Sequence, residues 1–147
     1  MEITTYKATA KVAPAIKRVA AYARVSAEKE TAEHSFQAQV DYYREYISKN
    51  PRWKFVSVYA DDAISGTKEN RPGFQKMLED CRANRIDLII TKTVSRFARN
   101  TVLLIKTLDE LKQYGVDVYF ETQNIYASDP TVEFALNLMG LFAEQED

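Results

Sequence analysis

A chain of 147 residues that is 46% hydrophobic and 28% charged, with four glycines and four prolines, has the composition of one compact domain rather than of a disordered or collagen-like polymer. Twenty Lys and Arg against 21 Asp and Glu leave a net charge of −1, which excludes a protein that holds nucleic acid by overall positive charge and leaves room only for local basic faces. A lone cysteine, Cys81, excludes an intrachain disulfide, and together with a lone histidine, His34, it is too little for a His/Cys zinc site, so zinc-free chemistry is expected. No apolar run approaches the roughly 20 residues of a membrane span, and no cleavable signal pattern opens the chain, which reads as cytoplasmic.

Residues 1–14 show neither helical nor strand period and run into Pro14, so they are read as a flexible leader. Arg18 to Val25 is a short, mostly apolar run that suits a strand buried on both faces, with Ser26 at its carboxyl end. After a polar loop, Phe36, Val40, Tyr43 and Ile47 recur at helical spacing between Ser35 and Lys49, and Asn50-Pro51 stops that helix. Trp53 to Ala60 alternates and is rich in aromatic and β-branched residues, a second strand, followed by the turn-forming stretch Asp61 to Arg71. Pro72 suits the first turn of a helix that carries Phe74, Met77, Leu78 and Cys81 on one face and precedes the aliphatic strand Ile86 to Ile90. Thr101 to Tyr114 is helical by period, Gly115 stands where a left-handed cap is needed, and Val116 to Glu121 is a further strand. Thr122 to Ser128 reads as a loop, and Asp129-Pro130 caps a last helix from Thr131. The order βαβαβαβα predicts an α/β fold, a mostly parallel sheet flanked by helices.

Apolar residues cover most of the circumference of the last helix: Val132, Phe134, Ala135, Leu136, Leu138, Met139, Leu141, Phe142 and Ala143. One sheet face does not cover a helix of that kind, so the expectation is that it continues and carries an oligomer interface.

In open α/β sheets ligands bind beyond the carboxyl ends of the strands. Three loops there share one pattern: Arg24 and Ser26; Ser65, Gly66 and Arg71; Lys92, Ser95, Arg96 and Arg99. Guanidinium forks donate paired charge-assisted hydrogen bonds to oxyanions, so hydroxyls interleaved with arginines suit a phosphate. Between Lys92 and Lys112 five cations face only Asp109 and Glu110. Arg96 and Arg99 would share a face if their segment turns helical. No Gly-rich phosphate loop is present, since Gly66, Gly73 and Gly115 are isolated, and no nucleophile-elbow pattern surrounds Ser26; His34 reads as a loop or helix-cap residue. What remains is a serine nucleophile among arginines, with Gln39 or one of Asp61 and Asp62 orienting groups.

Four motifs in order resemble the catalytic domain of serine site-specific recombinases: Tyr22-Ala23-Arg24-Val25-Ser26 with Gln37-Ala38-Gln39; Asp61 to Gly66; Asn70-Arg71-Pro72-Gly73-Phe74; and Val94 to Asn100. The likeness covers Ile16 to Asp147 and is strongest to the large serine recombinases of phage and mobile transposons. It implies a resolvase-like fold in which Ser26 attacks a DNA phosphodiester, leaving a 5′-phosphoserine link and a free 3′ hydroxyl, without metal or ATP. Arg24, Arg71, Arg96 and Arg99 match the phosphate-binding arginines, and Gln39 and Ser65 match polar residues near the scissile phosphate, with Lys92 and Ser95 beside them. Asp61 and Asp62 compete for the position of an acidic site residue. In small resolvases and invertases the position of Ser95 is an Asp, so the serine leaves the general acid or base open. The resemblance divides the chain into the leader 1–14, a catalytic α/β domain 15–130 and, at 131–147, the start of a long dimerisation helix, with DNA-binding domains beyond it. The implied partners are double-stranded DNA and further copies of the protein, as dimers that pair into tetramers. The competing expectation is a catalytically silent oligomerisation or regulatory module of the same fold.

Overall fold

The computed structural model describes residues 16–25, 31–62, 71–98 and 100–145, with residues 31–35, 62 and 141–145 by backbone alone. The elements run β1 (Lys17–Val25), α1 (Thr31–Ser48), β2 (Trp53–Asp62), α2 (Pro72–Arg82), β3 (Leu88–Thr91), α3 (Val94–Phe97), α4 (Thr101–Gln113), β4 (Asp117–Phe120), β5 (Ile125–Tyr126) and α5 (Pro130–Gln145). The sheet order is β2-β1-β3-β4-β5, parallel through β4, with β5 antiparallel at the edge.

Alternation along β1 sends its side chains into two cores. Val19 and Ala21 pack with Tyr43 and Ile47 of α1 and with Leu88 and Ile90 of β3. Ala20 and Tyr22 face the other way, into the larger core with Phe74, Met77 and Cys81 of α2 and Leu104 and Leu111 of α4. Within this core Tyr22, Phe74, Phe97 and Phe120 meet edge to face in succession, with centroids 5.1, 5.2 and 5.8 Å apart. Such contacts add to the area they bury, and this row ties the carboxyl ends of β1 and β4 to α2 and α3.

The α/β architecture, the parallel sheet and the buried face of α2 agree with the sequence, as does Gly115 at φ 77° after α4. Four local features differ. Helix α1 begins at Thr31 rather than Ser35 and takes in His34, because Thr31 to His34 carries helix-compatible residues but no large apolar one to mark a period. Strand β2 runs on through Asp61 and Asp62, held by parallel pairing of Arg24 with Asp61 and Val25 with Asp62 rather than by apolar side chains. The four-residue α3 follows β3, its N-cap Thr93 accepting from the Arg96 amide at 3.2 Å. In the stretch expected to be a loop, Asn124 takes φ 55° and allows the two-residue β5 to turn back on β4.

Helix α5 begins at Pro130, where Asp129 Oδ1 accepts from the Thr131 amide at 2.8 Å. It lies on α4, with Gly140 so close to Ile105 that a Cβ would overlap its terminal carbon. The opposite side of α5 leaves Phe134, Leu138 and Met139 69%, 43% and 49% exposed, as the excess of apolar residues predicts. Among the described residues no helix is long and apolar enough to cross a membrane.

Candidate active site

Asp61 organises the carboxyl end of the sheet. Its buried carboxylate accepts from the Tyr22 hydroxyl at 2.7 Å, the Gly73 amide at 2.7 Å and the Phe74 amide at 2.9 Å. The last two are otherwise unsatisfied donors at the N-terminus of α2, so a side chain from β2 does the work of a cap that Arg71, at the N-cap position, does not do. Burial and the bond to Asp61 push the Tyr22 hydroxyl far above its ordinary pKa, so it stays a donor. Gly73 is required for this approach, because a Cβ there would overlap the Ala60 carbonyl oxygen.

With α2 so placed, Arg71 enters the core edge. Its guanidinium lies 3.8 Å over the Phe74 ring, and Nη1 donates to the Phe97 carbonyl at 2.8 Å and, more weakly, to the Arg96 carbonyl at 3.4 Å. Those carbonyls belong to α3, so Arg71 holds the element that carries Arg96. Arg96 Nη1 in turn donates to the Arg24 carbonyl at 3.1 Å, and Arg24 Nε is buried with no hydrogen-bond partner among the described residues. Arg24, Arg71 and Arg96 are thereby joined by side-chain-to-backbone bonds. Among the described residues none of the three, nor Lys92, forms an ion pair with a carboxylate, whereas other cations such as Arg18 and Arg82 do. Clustered guanidiniums without internal counter-ions suit an external anion.

Next to this cluster an open cleft of about 650 Å3 lies between α1 and the ends of β3 and β4. Gln39, Tyr42, Tyr43, Lys92, Arg96 and Glu121 line it. Glu121 accepts from both the Tyr42 and the Tyr43 hydroxyl at 2.7 Å. A smaller cleft of about 280 Å3, between α4, α5 and the start of β4, is lined by none of the candidate residues.

The sequence-derived candidates therefore separate. Arg24, Arg71 and Arg96 come together, and Gln39 and Lys92 face the same cleft as Arg96. Of the two competing acids, Asp61 has its carboxylate occupied by three donors, two of which tie the end of β2 to the first turn of α2; Asp62 is described by backbone alone. Ser95 is exposed, its hydroxyl 3.2 Å from that of Thr93. Ser26, Ser65 and Arg99 lie outside the described residues. Helix α3 ends at Phe97, whose carbonyl is taken by Arg71, and Ala98 is extended at φ −151°, ψ 141°; the relation expected between Arg96 and Arg99 lies outside the described residues. Tyr22, Tyr42, Tyr43 and Glu121 were not singled out from sequence. Aromatic residues at core spacing read as packing, and only the spatial meeting of their hydroxyls with Asp61 and Glu121 reveals a polar role.

Residues 19–147 match the family model described as "Resolvase, N terminal domain". The chain is 31% identical over 86 residues to the serine recombinase gin of Escherichia phage Mu, covering 58% of this chain and 44% of that protein. It is 36% identical over 87 residues to the transposon Tn552 resolvase of Staphylococcus aureus, covering 58% and 43% respectively. The aligned stretch thus spans less than half the length of these relatives. The fold is similar to that of a resolvase family site-specific recombinase from Streptococcus pneumoniae, with a TM-score of 0.71, 23% identity, and coverage of 88% of this chain and 89% of that one.

Proposed function

We propose, for a chain that belongs to the resolvase N-terminal domain family, that it is the catalytic domain of a site-specific DNA recombinase working through Ser26. The observation that carries this reading is the joining of Arg24, Arg71 and Arg96, without carboxylate partners among the described residues, at the carboxyl end of the sheet. Ser26 directly follows β1 in sequence, two residues after Arg24.

In the proposed reaction Ser26 Oγ gives up its proton as it attacks a DNA phosphorus, and the bond from that phosphorus to the 3′ oxygen breaks. A 5′-phosphoserine ester forms and the departing 3′ oxygen takes up a proton, so the number of ester bonds is unchanged. Rejoining is the reverse, with a 3′ hydroxyl attacking and the serine leaving, and needs neither ATP nor metal. Arg24, Arg96 and Arg99 supply positive charge where the pentacoordinate phosphate gathers negative charge, Arg71 contributes from the core edge, and Lys92 and Gln39 hold flanking phosphate. With a net charge of −1 the chain relies on another part of the protein for most of its DNA affinity. The exposed Phe134, Leu138 and Met139 of α5 suit self-association into dimers that pair on double-stranded DNA in the cytoplasm.

The test is incubation of the protein, joined to its DNA-binding part, with a suicide DNA substrate, followed by denaturing electrophoresis beside Ser26→Ala. The expected result is a protein–DNA adduct at the 5′ end that the mutant does not form. A protein that binds its sites yet forms no adduct would instead be an oligomerisation module, the reading to which the apolar face of α5 alone would lead.

A further inference from the structure

Glu121 is a carboxylate in a cleft whose other charged lining residues, Lys92 and Arg96, suit a phosphate. A negative charge there repels DNA, so its presence calls for a physical account. Its backbone is fixed: the Glu121 amide donates to the Thr91 carbonyl at 2.9 Å, and the Thr122 amide donates to that of Lys92 at 2.9 Å, which extends the pairing of β3 and β4 past their ends. Its side chain reaches across to α1, where Oε1 accepts from Tyr43 and Oε2 from Tyr42, 78 and 79 residues away in sequence.

The two tyrosines differ. Tyr43 is 2% exposed, its ring among Val19, Ala21, Leu88 and Ile90, so its hydroxyl needs a partner at the buried edge. Tyr42 is half exposed, edge to face with Tyr43 at 5.0 Å and stacked on Tyr46 at 5.8 Å. Helix α1 packs mostly on β1 and β2, with Tyr43 and Ile47 reaching Leu88 and Ile90 of β3. The carboxylate therefore pins the middle of α1 toward the end of β4. Gln39 lies three and four residues before Tyr42 and Tyr43, on the same face of α1, and lines the same cleft.

We infer that Glu121 is a positioning residue for the cleavage reaction: through Tyr42 and Tyr43 it sets the face of α1 that presents Gln39 opposite Lys92 and Arg96. The two tyrosine hydroxyls hold the carboxylate and offset part of its repulsion toward phosphate. This role rests on the Ser26 cleavage reading, and the two fail separately.

The experiment measures single-turnover cleavage of a suicide duplex at saturating protein, DNA affinity and thermal midpoint for Glu121→Gln, Tyr43→Phe and their double mutant, with Tyr42→Phe beside them. Each variant at Glu121 or Tyr43 is expected to slow cleavage about tenfold or more, because a small misplacement of a contacting group is enough for that. Affinity for the duplex is expected to stay level, or to tighten in Glu121→Gln, and the double mutant to be no slower than the slower single one. A structural role alone would lower the thermal midpoint and leave saturated cleavage untouched. Cleavage rates within about twofold of the parent, or single effects that multiply in the double mutant, overturn the inference. If Glu121→Gln does not fold, Tyr42→Phe and Tyr43→Phe give the same readout with every ring retained. A parent that forms the Ser26-dependent adduct while these variants match it removes this inference alone. A parent that forms no adduct removes both.

Discussion

The Asp61 carboxylate binds the Phe74 amide at 2.9 Å and so joins the end of β2 to the first turn of α2, thirteen residues on. The same group receives the buried Tyr22 hydroxyl and the Gly73 amide. Asp61→Ala removes a helix cap and leaves a buried phenol without an acceptor. The expected cost is about 2–4 kcal/mol, read as a lowered urea midpoint at unchanged m-value. Asp61→Asn retains one acceptor oxygen and should fall between the two.

Two glycines make close contacts of opposite consequence. At Gly73 a Cβ would overlap the Ala60 backbone oxygen, which the β1–β2 ladder holds in place. Gly73→Ala should destabilise by about 1–3 kcal/mol and displace Arg71 with the helix. At Gly140 the overlap is with Ile105 Cδ1, the free end of a side chain able to change rotamer. Gly140→Ala also gains helix propensity, so its thermal midpoint should match that of the parent or exceed it. A Gly140→Ala protein that unfolds as readily as Gly73→Ala would contradict this difference.

The mostly parallel α/β architecture was legible because β1, β3 and β4 are short apolar runs separated by helices whose period is clear, as in Phe74, Met77, Leu78 and Cys81, whereas no local pattern specifies the spatial order of the strands. The first turn of α1, the end of β2 and the whole of α3 were not, since Thr31 to His34 lacks a large apolar residue and Asp61 and Thr93 act through hydrogen bonds that span the chain or a single turn. At the candidate site Arg24, Arg71 and Arg96 stand out in the sequence by residue type and loop position, and the structure brings these three together. What was not legible is which partner each takes: Arg71 reads as a phosphate ligand in sequence, yet it stacks on Phe74 and holds the Phe97 carbonyl. Nothing local in sequence pairs Tyr42 and Tyr43 with a glutamate 78 or 79 residues away.

Acid stability should depend on Asp87. Arg18 Nε and Nη2 donate to its two oxygens, each at 2.9 Å, and this bond, helped by the Arg18 amide, holds the Asp87 carboxyl below its ordinary value of 3.8. The unfolded chain then takes up the proton first as pH falls. The stabilisation is fully present above the ordinary carboxylate value and is lost as pH drops through the lower native one. Urea midpoints of Asp87→Asn should be lower than the parent's at neutral pH and converge with them below about pH 4. A gap that persists unchanged to pH 2 would refute this.

The alkaline limb tests the Glu121 bond independently of DNA. Accepting the Tyr42 proton, with some help from burial, Glu121 pushes that hydroxyl up to about 12 from 10.0. The unfolded chain releases this proton near the ordinary value while the native protein keeps it. The contribution is therefore complete below pH 10 and disappears as pH rises through the native value. Phenolate absorbance should show Tyr42 titrating late in the parent and nearer its ordinary value in Glu121→Gln, with Tyr42→Phe identifying the group.

Arg71 and Arg96 should respond to mutation in different ways. Arg71 is 8% exposed, stacked on Phe74 and bonded to the Phe97 carbonyl, so Arg71→Ala removes packing, a cation–π contact and the anchor of α3 together. Stability should fall by about 1–3 kcal/mol and cleavage should fall with it. Arg71→Lys restores charge but not the planar fork, so it should recover little of either. Arg96 is partly exposed at the cleft and among the described residues its guanidinium makes one bond, to the Arg24 carbonyl at 3.1 Å. Arg96→Ala should leave the thermal midpoint nearly unchanged while cleavage drops about 10²–10³-fold, the usual consequence of losing one donor to a developing oxyanion. Calorimetry and single-turnover cleavage on the same preparations separate the two. Equal losses of stability in both variants would mean that Arg96, too, acts mainly by holding the fold.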